Sequence, residues 1–130
     1  MNDRDHARQL LAMAGKDSRA LEVMCDPRQV DGEIFGFHAQ QAVEKALKAW
    51  VASLGAEYPL THNLASLVCL LRDRGGDVSG LEELESLTPF AVRLRYEQPD
   101  LDETIPLDRP GLVGRIRALI ERVEKLVRGV

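Results

Sequence analysis

The stretch from about Val30 to Leu54 constrains this chain more than any other. It contains no proline, and Gly55 follows it as a natural C-terminal stop. Wound as a helix, it gathers Phe35, Ala39, Ala42, Val43, Ala46, Leu47, Ala49 and Trp50 on one broad apolar arc. Asp31 and Glu33 stand in the first turn, where the helix dipole favours negative charge. The pattern predicts one long helix with Trp50 largely buried. The opposite arc holds Phe37, His38, Gln41, Glu44, Lys45 and Lys48.

Other segments repeat the helical period. Leu10, Leu11, Ala14, Leu21 and Met24 mark a helix from about Asp3 to Met24, broken by Cys25-Asp26-Pro27 because proline turns its predecessor away from the helical region. A third helix is predicted from Thr61, a plausible N-cap, to Arg74-Gly75-Gly76, with Leu64, Leu67, Val68 and Leu71 as its apolar stripe. A fourth element covers Leu81 to Leu87 and restarts at Thr88-Pro89, a cap followed by proline at the first helical position. Glu97 to Asp108, with two prolines and five acids, reads as an extended or mobile loop. The last helix starts around Arg109-Pro110 and runs to about Val127 on Leu112, Ile116, Leu119, Ile120, Val123 and Val127. No segment alternates with period two, and no internal repeat is present.

Composition agrees. The 130 residues fit one domain, and 45% hydrophobic with 29% charged residues is a globular balance. Aromatics are scarce at 5%, so Leu, Ala and Val supply the core, which favours helix packing over a sheet sandwich. A net charge of -4 argues against non-specific binding to duplex DNA while leaving room for a local basic patch. Cys25 and Cys69 lack metal-ligand spacing and read as two buried thiols of a reducing cytosol. No 18-residue apolar run exists, so no membrane span is expected. The charged start MNDRDHARQLL lacks the apolar region of a signal peptide, and a cytoplasmic location is expected.

The stretch GFHAQQAVEKALKAWVASLGAEYPLTHNLASL, followed by LTPFAVRLRYEQPD, closely resembles the HEPN domain (higher eukaryote and prokaryote nucleotide-binding). The resemblance extends from the ARQLLAMAGKD opening to the closing helix, and its most specific parts are FHAQQAVEKALKA, LTHNL and the Arg95-Tyr96 pair. It implies an all-α fold, a four- to five-helix up-and-down antiparallel bundle forming one domain over residues 1–130. It also implies a tendency to homodimerise, or to pair with a minimal nucleotidyltransferase as half of a toxin–antitoxin system.

Some HEPN proteins are metal-independent ribonucleases that carry an Arg, four to six residues, then a His. Here Asp31, Gly32 and Glu33 precede His38 at those distances, and Gly55, Ala56 and Glu57 precede His62. His6 lies too near the start for the motif, and no His follows Arg95 within reach. The motif is absent, no catalytic residue is assigned, and the resemblance points to the non-catalytic, ligand- and partner-binding branch.

His38, Gln41, Lys45 and Lys48 follow one another on one helix face. They form either a polar stripe for phosphate and a base edge, or a solvated face with Glu44–Lys48 as an ordinary ion pair. Phe37, on the same arc, reads as a dimer interface residue, a base-stacking platform or packing under the next loop. Arg93, Arg95 and Tyr96 supply guanidinium forks suited to phosphate beside the acidic loop; the alternative is local pairing with Glu97 and its neighbours. Thr61 and His62 make either an anion site at a helix start or a plain cap with a structural histidine. The acids Asp100, Asp102, Glu103 and Asp108 follow no ligand pattern, and neither metal nor cofactor is expected. The expected function is a binding module for nucleotide or RNA. The alternatives are a ribonuclease with a non-standard active site, using residues such as Arg95, Tyr96 and His38, or a purely structural dimerisation subunit.

Overall fold

The computed structural model describes residues 3–91 and 107–128. Its helices are α1 (Asp3–Val23), α2 (Gly32–Ser53), α3 (Leu64–Asp73), the short α4 (Glu82–Glu85) and α5 (Arg109–Arg128). Residues 90–91 are helical at the edge of the described chain. No strand occurs among the described residues, and the fold is the helical bundle that the resemblance implies, built from the helices that the periodicity predicts. Helix α1 packs along α2, α5 packs against both, α3 covers another side of α2, and α4 leans on α3.

The helix ends show why the segments stop where they do. Gly55 takes a positive φ of 74° just past α2, and the N–H groups of Gly55 and Ala56 return to the carbonyls of Ala52 and Val51. Gly75 repeats the device after α3 with φ of 84°, and Gly76 N–H bonds the Leu71 carbonyl. The start of α3 differs from the sequence expectation. Asn63, not Thr61, is the N-cap, its side chain accepting from the N–H groups of Ala65 and Ser66. Thr61 sits outside the helix and accepts from Asn63 N–H. Thr88 also departs from its simple capping role: its hydroxyl accepts from the N–H of Leu64 and ties the chain after α4 to the first turn of α3. Asp108 caps α5, accepting from Gly111 N–H at 3.1 Å.

The core collects the predicted stripes: Ala7, Leu11, Ala14 and Leu21 from α1, Leu64, Leu67, Val68 and Leu71 from α3, and Ile116, Leu119 and Val123 from α5. Helix α2 lies between them and is covered on nearly every side. Its alanines let neighbouring helices approach closely, and at Gly36 the approach is extreme. A Cβ on Gly36 would fall 2.3–2.6 Å from ring atoms of Phe90, so only glycine fits under that ring.

Of the two readings of the polar arc of α2, the solvated face does not fit: Glu44 is 5% exposed, and the Lys45 and Lys48 side chains are mostly covered. Covering helices on both flanks leave that arc in contact with α1 and with the segment that precedes α3. The expectation of two buried thiols also fails, since Cys69 is exposed on the outer side of α3 and Cys25 is half-buried; neither is in a disulfide.

Candidate functional site

The polar residues of α2 meet partners from three directions and form a seam. Glu44 is its centre. One carboxylate oxygen accepts from Gln40 Nε2 at 2.9 Å and from His62 Nδ1 at 2.8 Å; the other accepts from Lys48 Nζ at 3.0 Å. Gln40 Nε2 also donates to the His62 backbone carbonyl at 3.1 Å, and Gln40 Oε1 accepts from Gln41 Nε2 at 2.7 Å. Residues 40, 44 and 48 are successive i,i+4 neighbours, so the helix itself supplies the row. Asn63 starts α3 immediately after His62, and this entry into the helix carries the imidazole to Glu44.

A second cluster lies along the same helix. Asp17 of α1 accepts from Lys45 Nζ at 2.7 Å and meets His38 Nδ1 at 3.2 Å. At the other end, His6 stacks on Tyr58, with ring planes 6° apart and Nε2 at 2.5 Å from the phenol oxygen. The Lys48 ammonium lies 5.3 Å from the centre of the Tyr58 ring, which joins this pair to the Glu44 group. All three histidines of the chain therefore contact the seam.

Electrostatically the seam is nearly balanced. Burial alone would raise the Glu44 carboxyl, but hydrogen bonds from Gln40, His62 and Lys48, with the charge of Lys48, outweigh it and hold the group below its ordinary value of 4.5. A carboxyl depressed in the folded state stabilises the fold fully above its unfolded value, and that contribution disappears as pH falls through the lower folded value. Glu44→Gln is therefore expected to lower the melting temperature at neutral pH, with the gap to wild type closing as pH drops below 4.5. A gap constant from neutral to strongly acidic pH in parallel thermal melts would show that the Glu44 charge has no part in it.

Among the residues singled out in the sequence, His38, Gln41, Lys45 and Lys48 do share this seam. Each lysine already holds a carboxylate, so the stripe presents matched charges and hydrogen-bonding groups more than free cations. Phe37 is half-buried, edge-on to His38 at 5.4 Å. His62 is a partner of Glu44 and not a free anion ligand, while its ring stays 46% exposed. Arg93, Arg95 and Tyr96 lie outside the described residues. The sequence reading passed over Gln40, Asp17, Tyr58 and His6. The spacing of Gln40 to Glu44 and Lys48 would have found the first; nothing local marks the other three, which arrive by tertiary packing.

Among the described residues, no group of three or more His, Cys, Asp or Glu side chains is placed to hold a metal ion, and no helix is long and apolar enough to cross a membrane. No curated protein and no solved structure matches the chain. The family model of the HEPN domain matches residues 7–129, nearly the whole length. Together with the all-helical bundle, this match settles the lineage: the chain belongs to the HEPN family.

Proposed function

We propose that this HEPN chain is a binding module that takes a nucleotide or RNA and acts with a nucleotidyltransferase-type partner protein, in the manner of a toxin–antitoxin pair. The observation that carries the ligand-binding half is the Gln40–Glu44–His62–Lys48 network, a fixed array of amide, imidazole, carboxylate and ammonium groups on one side of α2. Gln40 and Glu44 are buried and hold the array in place, and the half-exposed His62 ring is the member open to the hydrogen-bonding edge of a base or a ribose. The phosphate charge would be met by Arg95, with Arg93 and Tyr96 beside it, as the family resemblance suggests. Half-buried Phe37 and partly exposed Ile34, three residues apart on α2, favour a homodimer that the partner protein would replace.

Titration calorimetry with ATP and with a short RNA tests this reading. Arg95→Ala is expected to weaken binding by about 1.5–3 kcal/mol, the scale of a charge-assisted hydrogen bond, and Lys48→Ala by less. Wild type that binds neither ligand would end the proposal. Light scattering that returns a monomer mass at tens of micromolar would remove the homodimer.

One observation favours a second reading, a ribonuclease with a non-standard site. His62 meets Glu44 through Nδ1 on a half-exposed ring, the carboxylate–imidazole pairing that orients a general base. Cleavage of labelled RNA by wild type but not by His62→Ala supports it; an intact RNA in both excludes it.

A further inference from the structure

Helices α1 and α5 leave a groove of about 400 Å³ between them that shares no residue with the polar seam. Its aliphatic lining is Leu11, Ala12 and Val127, and the Arg19 guanidinium lies over Gly15, 3.5 Å from where a Cβ would stand. Its rim is basic. Arg8, Lys16 and Arg19 follow one another along α1, and Arg128 faces them from α5. The one acid, Glu124, is held by Arg128 at 3.2 Å. Arg8 has a long contact of 3.8 Å to the exposed Asp5. Lys16 and Arg19 have no ion-pair partner among the described residues. A chain with a net charge of -4 thus concentrates four cations around one apolar trough.

We propose that this groove docks an acidic amphipathic segment of a partner protein, laid along α1 with its apolar side chains on the floor and its carboxylates on the rim. Three features select that occupant. The rim cations are spread along the helix, Arg8 and Arg19 being about 16 Å apart at the rise of an α-helix, too far to converge on one phosphate or one small anion. The groove has no aromatic, amide or hydroxyl side chain in its lining, which favours a peptide over single-stranded nucleic acid, whose bases stack best on aromatic rings. The small, exposed Ala12 sits between the cations and leaves room for a side chain of the incoming segment. Opposite charge along the rim sets the register, and the aliphatic floor excludes ligands that carry charge alone.

The test is fluorescence anisotropy on the full chain with three labelled probes. The first is a helix-forming peptide of about 16 residues, matched to the α1 stripe, with Leu on one face and Glu along both borders. The second has Ser in place of every Leu, and the third is a single-stranded RNA of similar charge. The first peptide is expected to bind, with the other two weaker by at least about tenfold. Its affinity should fall as salt is raised. The double variant Lys16→Glu/Arg19→Glu should weaken the first peptide by at least about tenfold. Ala12→Phe, which fills the floor and keeps every charge, should do the same. These side chains are exposed, so melts of the variants are expected to match wild type. No binding of the first peptide overturns the proposal. Equal binding of all three probes also overturns it, by revealing a generic cationic surface, as does full affinity in either variant.

Discussion

Trp50→Ala is expected to destabilise the protein by about 3–5 kcal/mol, the range for truncating a large buried aromatic. The indole is 3% exposed and lies near the C-terminal end of α2, where α3 and α5 both reach it. On one side the Arg122 guanidinium of α5 stacks 4.9 Å from the ring centre. The same arginine also donates to the Asp77 backbone carbonyl in the turn after α3. On another side the backbone of Gly76 comes so near that a Cβ there would stand 3.1 Å from the ring. Truncation would leave a void that neither the paired arginine nor the helix-terminating turn can close without losing its own bonds. Urea unfolding of wild type and variant, compared at constant slope, measures the loss. A change below about 1 kcal/mol would place Trp50 at the periphery.

Arg109→Met is the second large loss, at about 1–3 kcal/mol, because it strips two part-buried carbonyls of their donor. Arg109 is 7% exposed at the first turn of α5, a position where the helix dipole disfavours a cation. Tertiary bonds outweigh that penalty. The two hydrogens of one guanidinium nitrogen go to the carbonyls of Met24 and Val30, both at 2.9 Å, and the group lies over the Phe35 ring at 5.1 Å. One side chain therefore bolts the α1–α2 connection to the start of α5. Methionine keeps the stem volume but gives neither acceptor a donor. Arg109→Lys retains a charge and a donor without the planar fork and is expected to lose less. Chemical denaturation of the three proteins decides; equal stability of wild type and the methionine variant would make Arg109 a surface residue in effect.

Much of this architecture is legible in the sequence because it rests on local rules. Apolar residues recurring at the helical period placed every long helix, and Gly55, Gly75 and Pro27 marked breaks because their backbone preferences act at the residue itself. Trp50 was legible as a core residue for the same reason, and the Glu44–Lys48 pair follows from spacing alone. The family followed from the α2 motif, from LTHNL and from the Arg95-Tyr96 pair. What local rules cannot carry is which side of a helix another element will cover. The polar arc of α2 looks solvated until α1 brings Asp17 to Lys45 and the turn before α3 brings His62 to Glu44. Those residues lie 28 and 18 positions apart, so no periodicity links them. Gly36 is a poor residue for a helix interior until the Phe90 ring is laid on it, and Arg109 is an ill-placed charge until two carbonyls from the α1–α2 connection reach it. The sequence by itself determined the long helices, most of their ends and their lineage, since these depend on each residue and its near neighbours, although the cap of α3 fell on Asn63 and not on Thr61. The charge pairing of the seam, the glycine under the aromatic ring and the basic groove between α1 and α5 were decided only by the tertiary structure, because each joins groups that the chain separates and packing alone brings together.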